Sequence, residues 1–268
     1  MLHGTLSTST EVATKNGIAK VWNPYLWQDG TYHSSPEWIL TWSDEFDGPA
    51  GDPPNSANWD YEIGMVRNSE LQYYTNRTEN ARLSGSGTLI IEARVESYLG
   101  ASYTSASLIT KNKQEFLYGR IEARVKLPAV TGAWPAFWTQ GISGSWPARG
   151  EIDIMEYVGK EPNNVYVGTV HASAGSNGAV AQSISTPTGW HVFALEWFAD
   201  RLDFYFDSTK VRTYNNAGTG TAQWPFDALQ YLLLNLAVGG SWGGPTVNDA
   251  AFPIQYEIDY VRRYQQAS

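Results

Sequence analysis

The chain has no cysteine among its 268 residues. That excludes a disulfide framework and any site built on thiolates, and it leaves the redox compartment unread. Basic residues are few and scattered, 18 Lys and Arg against 27 Asp and Glu, for a net charge of −9. Without a basic patch there is no electrostatic footprint for nucleic acid. An anionic membrane surface or a strongly anionic substrate is disfavoured for the same reason. No run of about 18 apolar residues occurs, so no helical span and no membrane partner are expected. The first residues, MLHGTLSTSTEVATKNG, lack the basic-then-apolar order of a secretory signal. The chain is read either as cytoplasmic or as secreted with its signal peptide not present here. Long helical periodicity and internal repeats are also missing.

What is abundant is aromatic. Aromatic residues make up 14% of the chain, with 12 Trp and 16 Tyr. Trp and Tyr pair an apolar ring with a polar tip, so a surplus suits a surface that stacks flat ligands, though a β-rich core can absorb it too. Residues 1–37 are rich in Ser, Thr, Gly and Asn and are read as an N-terminal extension, draped over the rest through Trp22, Tyr25 and Trp27. Residues 38–268 are read as a single domain of short strands and turns. TLIIEARV (88–95), YGRIEARVKLP (118–128) and GEIDIMEYV (150–158) are β-branched and aromatic runs ended by Gly, Pro or Ser. WHVFALEWFADRLDFYFD (190–207) reads as a hairpin turning at Ala199–Asp200. QYLLLNLAVGG (230–240) fits a strand buried on both faces or a short core helix. Many short strands with almost no helix imply an all-β sandwich or barrel.

One segment is chemically unusual. RGEIDIMEYVG (149–159) carries Glu151, Asp153 and Glu156 on a strand-like run. Strand side chains alternate with period two, so Glu151 and Asp153 share a face while Glu156 should take the other. One extra residue at Ile154 or Met155, a β-bulge, would reset the alternation and bring Glu156 back. Three acids on one face repel each other, so at least one should stay protonated near neutrality. A protonated acid beside an ionised carboxylate is the equipment of glycoside hydrolysis. Same-face neighbours are roughly 6.6 Å apart along a strand, whereas a retaining pair needs about 5–5.5 Å, so the strand must curve. Asp153 would hold and tune Glu151. Two other readings stay open, a hard-cation site of oxygen ligands and a solvated strand face. Upstream, GAWPAFWTQGISGSWPARGE places Trp134, Trp138 and Trp146 near the acids; each is a sugar-stacking platform or a core residue. His171, in GTVHASAG, is a candidate hydrogen-bond partner for a sugar or a structural histidine.

These blocks together resemble glycoside hydrolase family sixteen. GEIDIME is similar to its catalytic signature in the bulged form, and NSELQYYT (68–75), GRIEARVKLP, GAWPAFW, WHVFALEW and GGSWGG (239–244) are similar to further blocks. The combination looks most like the endo-1,3-β-glucanase (laminarinase) branch, over residues 38–266. The resemblance implies a β-jelly roll, two stacked antiparallel sheets with a concave substrate cleft. It implies a retaining mechanism with Glu151 as nucleophile, Asp153 as its supporting carboxylate and Glu156 as acid/base. It implies sugar contacts from Asn68, Trp134, Trp138, Trp146, His171 and Trp242. It further implies a structural calcium held by the Glu45 carbonyl, the Gly87 carbonyl and Asp259, no catalytic cofactor, a β-glucan partner, a monomer and secretion. Mixed-linkage glucan, agarose, or glucan binding without turnover are the alternatives, and retention of all three acids speaks against the last. After His171 the chain reads ASAGSNG, where relatives often carry an aromatic.

Overall fold

The computed structural model describes residues 37–267, together with the backbone of three short strands, Lys20–Val21, Leu26–Gln28 and Thr31–His33. The expectation that Trp22, Tyr25 and Trp27 drape over the domain lies outside the described residues. At the backbone level, Lys20–Val21 pairs antiparallel with Trp38–Ile39.

Two sheets carry the fold. The first runs, edge to edge, through Thr209–Asn215, Arg201–Phe206, Trp190–Trp197, Gly119–Lys126, Ile254–Gln266, Leu89–Tyr98, Ala101–Ser105 and Gln72–Tyr74. The second runs through Gly175–Asn177, Asn164–Ala172, Glu151–Tyr157, Ala133–Gly141, Gln230–Val238, Ser107–Ile109 and Asp60–Glu62. Pairing is antiparallel throughout both paths except between Gln72–Tyr74 and Ala101–Ser105. Strand neighbours are far apart in sequence, with Gly119–Lys126 lying between Trp190–Trp197 and Ile254–Gln266. Such crossovers make a jelly-roll sandwich rather than a meander. The Trp190–Phe206 hairpin turns where expected, with Phe198 N donating to Arg201 O at 2.9 Å.

Between the sheets lies one large apolar core, with Phe137, Ile152, Ile154, Met155, Leu232, Leu234 and Leu236 from the second sheet meeting Ile121, Ala123, Phe193, Leu195, Ile258 and Val261 from the first. Full burial of each such aliphatic or aromatic side chain stabilises the fold by roughly 1.5–3 kcal/mol. The continuous apolar run at 230–238 is a strand with every residue buried. Its even-numbered leucines enter the core, while Tyr231, Leu233 and Ala237 pack under the tryptophans on the opposite face. Ala133–Gly141 behaves alike, sending Ala133 and Phe137 inward and Trp134, Ala136 and Trp138 outward. The second sheet is therefore apolar on both faces at its centre, and its outer face is the floor of a cavity.

Candidate active site

The acids stand on Glu151–Tyr157, between the tryptophan strand (Ala133–Gly141) and the histidine strand (Asn164–Ala172). Against the tryptophan strand, Glu151 pairs with Gln140, Asp153 with Trp138, Met155 with Phe137 and Glu156 with Ala136, and the register shifts between Phe137 and Trp138. Ile154 is the extra residue, as the parity argument requires. Ile154 and Met155 both enter the core, so Glu156 comes round to the face of Ala136, Trp134 and Trp138.

The distortion crosses to the next strand. There the ladder stays regular, with Asp153 opposite Thr169 and Met155 opposite Val167, so Gly168 faces the bulge. Gly168 has φ +84 and packs so closely on Phe204 that a Cβ would lie 2.8 Å from its ring. Only glycine meets both conditions without strain.

A cavity of about 330 Å³ opens over this face, lined by Asn68, Trp134, Trp138, Trp146, Glu151, Asp153 and Glu156 among the expected residues. Trp134 Nε1 donates to Glu156 Oε1 at 3.2 Å, and Trp146 Nε1 to Glu151 Oε2 at 3.1 Å. Trp146 is 53% exposed, so its ring is open to a ligand. Trp138 is fixed by donating to Asn235 Oδ1 at 2.8 Å. His171 pairs with Glu151 across the ladder and puts Nε2 3.2 Å from Asp153 Oδ2 and 3.6 Å from Glu151 Oε1. Trp242 stands behind the wall, edge-on to Trp134 at 5.7 Å and to Tyr166 at 4.7 Å; it props Trp134.

The three carboxyls differ in environment. Burial pushes Glu156 well above the ordinary carboxylate range, and the Asp153 charge adds to the shift. Asp153 is raised well above its usual value by burial and by the neighbouring Glu151. Glu151 is raised too, by burial, but less than Glu156, because His171, the Gln140 hydrogen bond, Arg67 and the Trp146 hydrogen bond pull against the rise. Gln140 Nε2 donates to Glu151 Oε2 at 2.9 Å. Of the two, Glu156 holds its proton more strongly than Glu151.

Further residues of the wall were not singled out from the sequence: Glu62, Arg67, Glu70, Gln140, Arg149 and Asn235. Arg67 lies over the Trp138 ring, 4.9 Å from its centroid, and is ion-paired with Glu62. Buried Glu70 accepts from Gln72 at 2.7 Å, Tyr74 at 3.0 Å and Asn68 at 3.3 Å. Gln140 was within reach of sequence reasoning, since it continues the Trp134, Ala136, Trp138 alternation.

The expected calcium residues lie on the other sheet. Asp259 is a bulge residue, between Ile258, which pairs with Leu89, and Val261, which pairs with Asp44. The ladder therefore brings Asp259 close to Glu45 and to the Gly87 turn. The Glu45 carboxylate is engaged by Arg262 at 2.8 and 2.9 Å, and Arg124 donates to Asp259 Oδ2 at 2.6 Å. Two carbonyls and a carboxylate are hard oxygen donors of the kind calcium takes, and at Asp259 the ion would share the carboxylate with Arg124.

Residues 66–262 match the family model "Glycosyl hydrolases family 16". The chain belongs to that family. It is a glycoside hydrolase with the jelly-roll fold. A β-glucanase of Rhodothermus marinus is 44% identical over 252 residues, covering 86% of each chain. A laminarinase structure from the same organism superposes with a TM-score of 0.82 at 43% identity, over 87% of this chain and 99% of that one. A glucan endo-1,3-β-glucosidase of Cryptopygus antarcticus is 34% identical over 85% of this chain and 92% of its own length.

Proposed function

We propose that the protein is a retaining endo-hydrolase of β-1,3-glucan. The observation that carries the reading is that Glu151 and Glu156 share one cavity and that burial raises Glu156 well beyond Glu151, whose neighbours oppose the rise. Glu151, held through Oε2 by Gln140 and Trp146, attacks the anomeric carbon while Glu156 gives its proton to the leaving oxygen. The glycosyl–Glu151 ester is then hydrolysed by water that Glu156, now a base, deprotonates. Asp153 and His171 border the nucleophile and set its charge and orientation. Trp134, Trp138 and Trp146 offer faces to sugar rings, and Asn68 hydroxyl-bonding atoms. The β-1,3 linkage is supported by the likeness to the Rhodothermus and Cryptopygus enzymes. A polymeric substrate places the action outside the cell, and all the proposed catalytic groups come from one chain, so a monomer suffices. Incubation with laminarin, barley glucan, lichenan, agarose and carrageenan tests this. Laminarin is expected to release mixed oligosaccharides early. Release from agarose alone, or binding of laminarin without turnover, would overturn it.

We further propose calcium at the Glu45 carbonyl, the Gly87 carbonyl and Asp259. Bound there, the ion cross-links three chain segments and stabilises the native state by mass action, about 2.7 kcal/mol at a hundredfold excess over Kd. For a chain of this size that raises Tm by roughly 5–11 °C. Differential scanning calorimetry with calcium and with chelator is expected to show the shift in wild type and not in Asp259→Ala. An equal shift in both would remove Asp259 from the site.

A further inference from the structure

Three potential ligand atoms converge on the cavity floor. His171 Nε2 is 3.2 Å from Asp153 Oδ2 and 3.6 Å from Glu151 Oε1, and all three lie within 4.8 Å of one another. Ligands bonded to zinc at about 2.0–2.1 Å with tetrahedral angles stand about 3.3 Å apart. Two of the three edges already have nearly that length. The convergence is built into the ladder, since His171 pairs with Glu151 and Asp153 is the next residue on that face.

Each ligand is also held for the task. Ser176 Oγ lies 2.6 Å from His171 Nδ1, which fixes the ring with Nε2 toward the acids, the outer-shell support typical of metal-binding histidines. Glu151 is anchored through Oε2, with Oε1 turned toward His171. Asp153 Oδ2 is buried and makes no aligned hydrogen bond, with His171 Nε2 3.2 Å away.

We infer that Glu151, Asp153 and His171 form a binding site for a zinc-class divalent cation, and that its occupation switches the hydrolase off. The inference goes beyond the glucanase reading. Three protein ligands with the fourth position open to the cleft is the arrangement of an accessible zinc site. An imidazole and two carboxylate oxygens favour zinc, copper, nickel or cobalt, whereas calcium and magnesium require more oxygen ligands. A bound ion would tie up Glu151 Oε1, on a carboxylate whose Oε2 is already held by Gln140 and Trp146.

Titration with Co2+ in excess Ca2+, followed by visible absorption, tests this. Wild type is expected to develop the ligand-field bands of tetrahedral cobalt with one ion per chain, and Zn2+ to bleach them. His171→Gln should weaken binding at least about tenfold, and Ser176→Ala should weaken it less, through the loosened ring. Zinc should inhibit hydrolysis in competition with glucan oligosaccharide, and at correspondingly higher concentration in both variants. Absence of the bands in wild type, or wild-type affinity in both variants, overturns the proposal. The exposed Ser176→Ala serves if His171→Gln does not fold. Because absorbance and not turnover reports the ion, a protein inactive on laminarin would still answer the question.

Discussion

Glu156→Gln is expected to lower kcat on laminarin by about 10²–10⁴-fold, the usual contribution of a positioned general acid. Glutamine keeps the shape and the Trp134 hydrogen-bonding distance but has no proton to give. Glu151→Gln should lose at least as much, since no amide oxygen replaces an attacking carboxylate. Two readouts separate the roles. An aryl glucoside with an acidic phenol as leaving group needs little protonation, so it should restore the first step in Glu156→Gln and do nothing for Glu151→Gln. Azide should then trap the intermediate of Glu156→Ala as a β-glycosyl azide, whereas in Glu151→Ala it substitutes for the missing nucleophile and gives the α-anomer. Equal rescue of both variants, or the opposite pairing of anomers, would overturn the assignment.

The same substitution has a sign in stability. The Glu156 carboxyl has a folded-state value raised by burial, so the native state binds its proton more tightly than the unfolded chain. Stability is then fullest below the unfolded value near 4.3 and falls as pH rises through the folded one. Glutamine removes that loss. At pH 7 Glu156→Gln should melt above wild type, each 1 kcal/mol corresponding to about 2–4 °C in a chain of this size. The gap should close near pH 4. A variant that melts below wild type at pH 7 and matches it in acid would mean that Glu156 is an ionised, paired carboxylate.

Much of this site could be read from residue order because strand alternation is local. The missing step between Asp153 and Glu156 predicted the bulge, and alternation from Trp134 reaches Trp138 and then Gln140. Other partners depend on distances that sequence does not carry. Asn235 lies 97 residues from Trp138, yet donor and acceptor are 2.8 Å apart; inside an apolar run, one Asn gives no hint of which ring it holds. Arg67 and Asn68 belong to a loop with no periodicity, where Asn68 and Ser69 take left-handed backbone at φ 55 and φ 51. The His171–Glu151 pairing depends on the register set by the loop from Val158 to Asn163, and loop residues do not announce their length in the ladder. Lys and Arg are scattered in sequence, but the fold brings Arg67 and Arg149 into one cavity wall. Trp242 came from family likeness, and its ring packs edge-on against Trp134.

Gly168→Val is expected to damage both stability and activity from outside the cavity wall. Gly168 faces the bulge from the histidine strand with φ +84. A β-branched residue there carries about 1–2 kcal/mol of left-handed strain. Its Cβ would sit 2.8 and 2.9 Å from Phe204 ring atoms and 3.0 Å from Arg212 Cδ. Overpacking of that kind costs about 1–3 kcal/mol more. Phe204 is fully buried in the core and cannot turn out of the way. The sum, about 2–5 kcal/mol, is a large part of the 5–15 kcal/mol that holds a typical domain together, and it lowers Tm by roughly 4–20 °C. Relief comes from pushing the histidine strand away from Phe204, which moves Thr169 and the bulged Ile154 together. Glu156 accepts from Thr169 at 3.5 Å, so the acid shifts with them. Below the melting transition, kcat should therefore fall at least about tenfold, because a displacement near 1 Å in an acid/base group can cost 10²-fold. Urea unfolding and laminarin kinetics at a temperature where the variant is folded measure the two effects separately. A destabilised variant with unchanged kcat would show that the bulge tolerates movement and that Glu156 is positioned by the cavity wall alone.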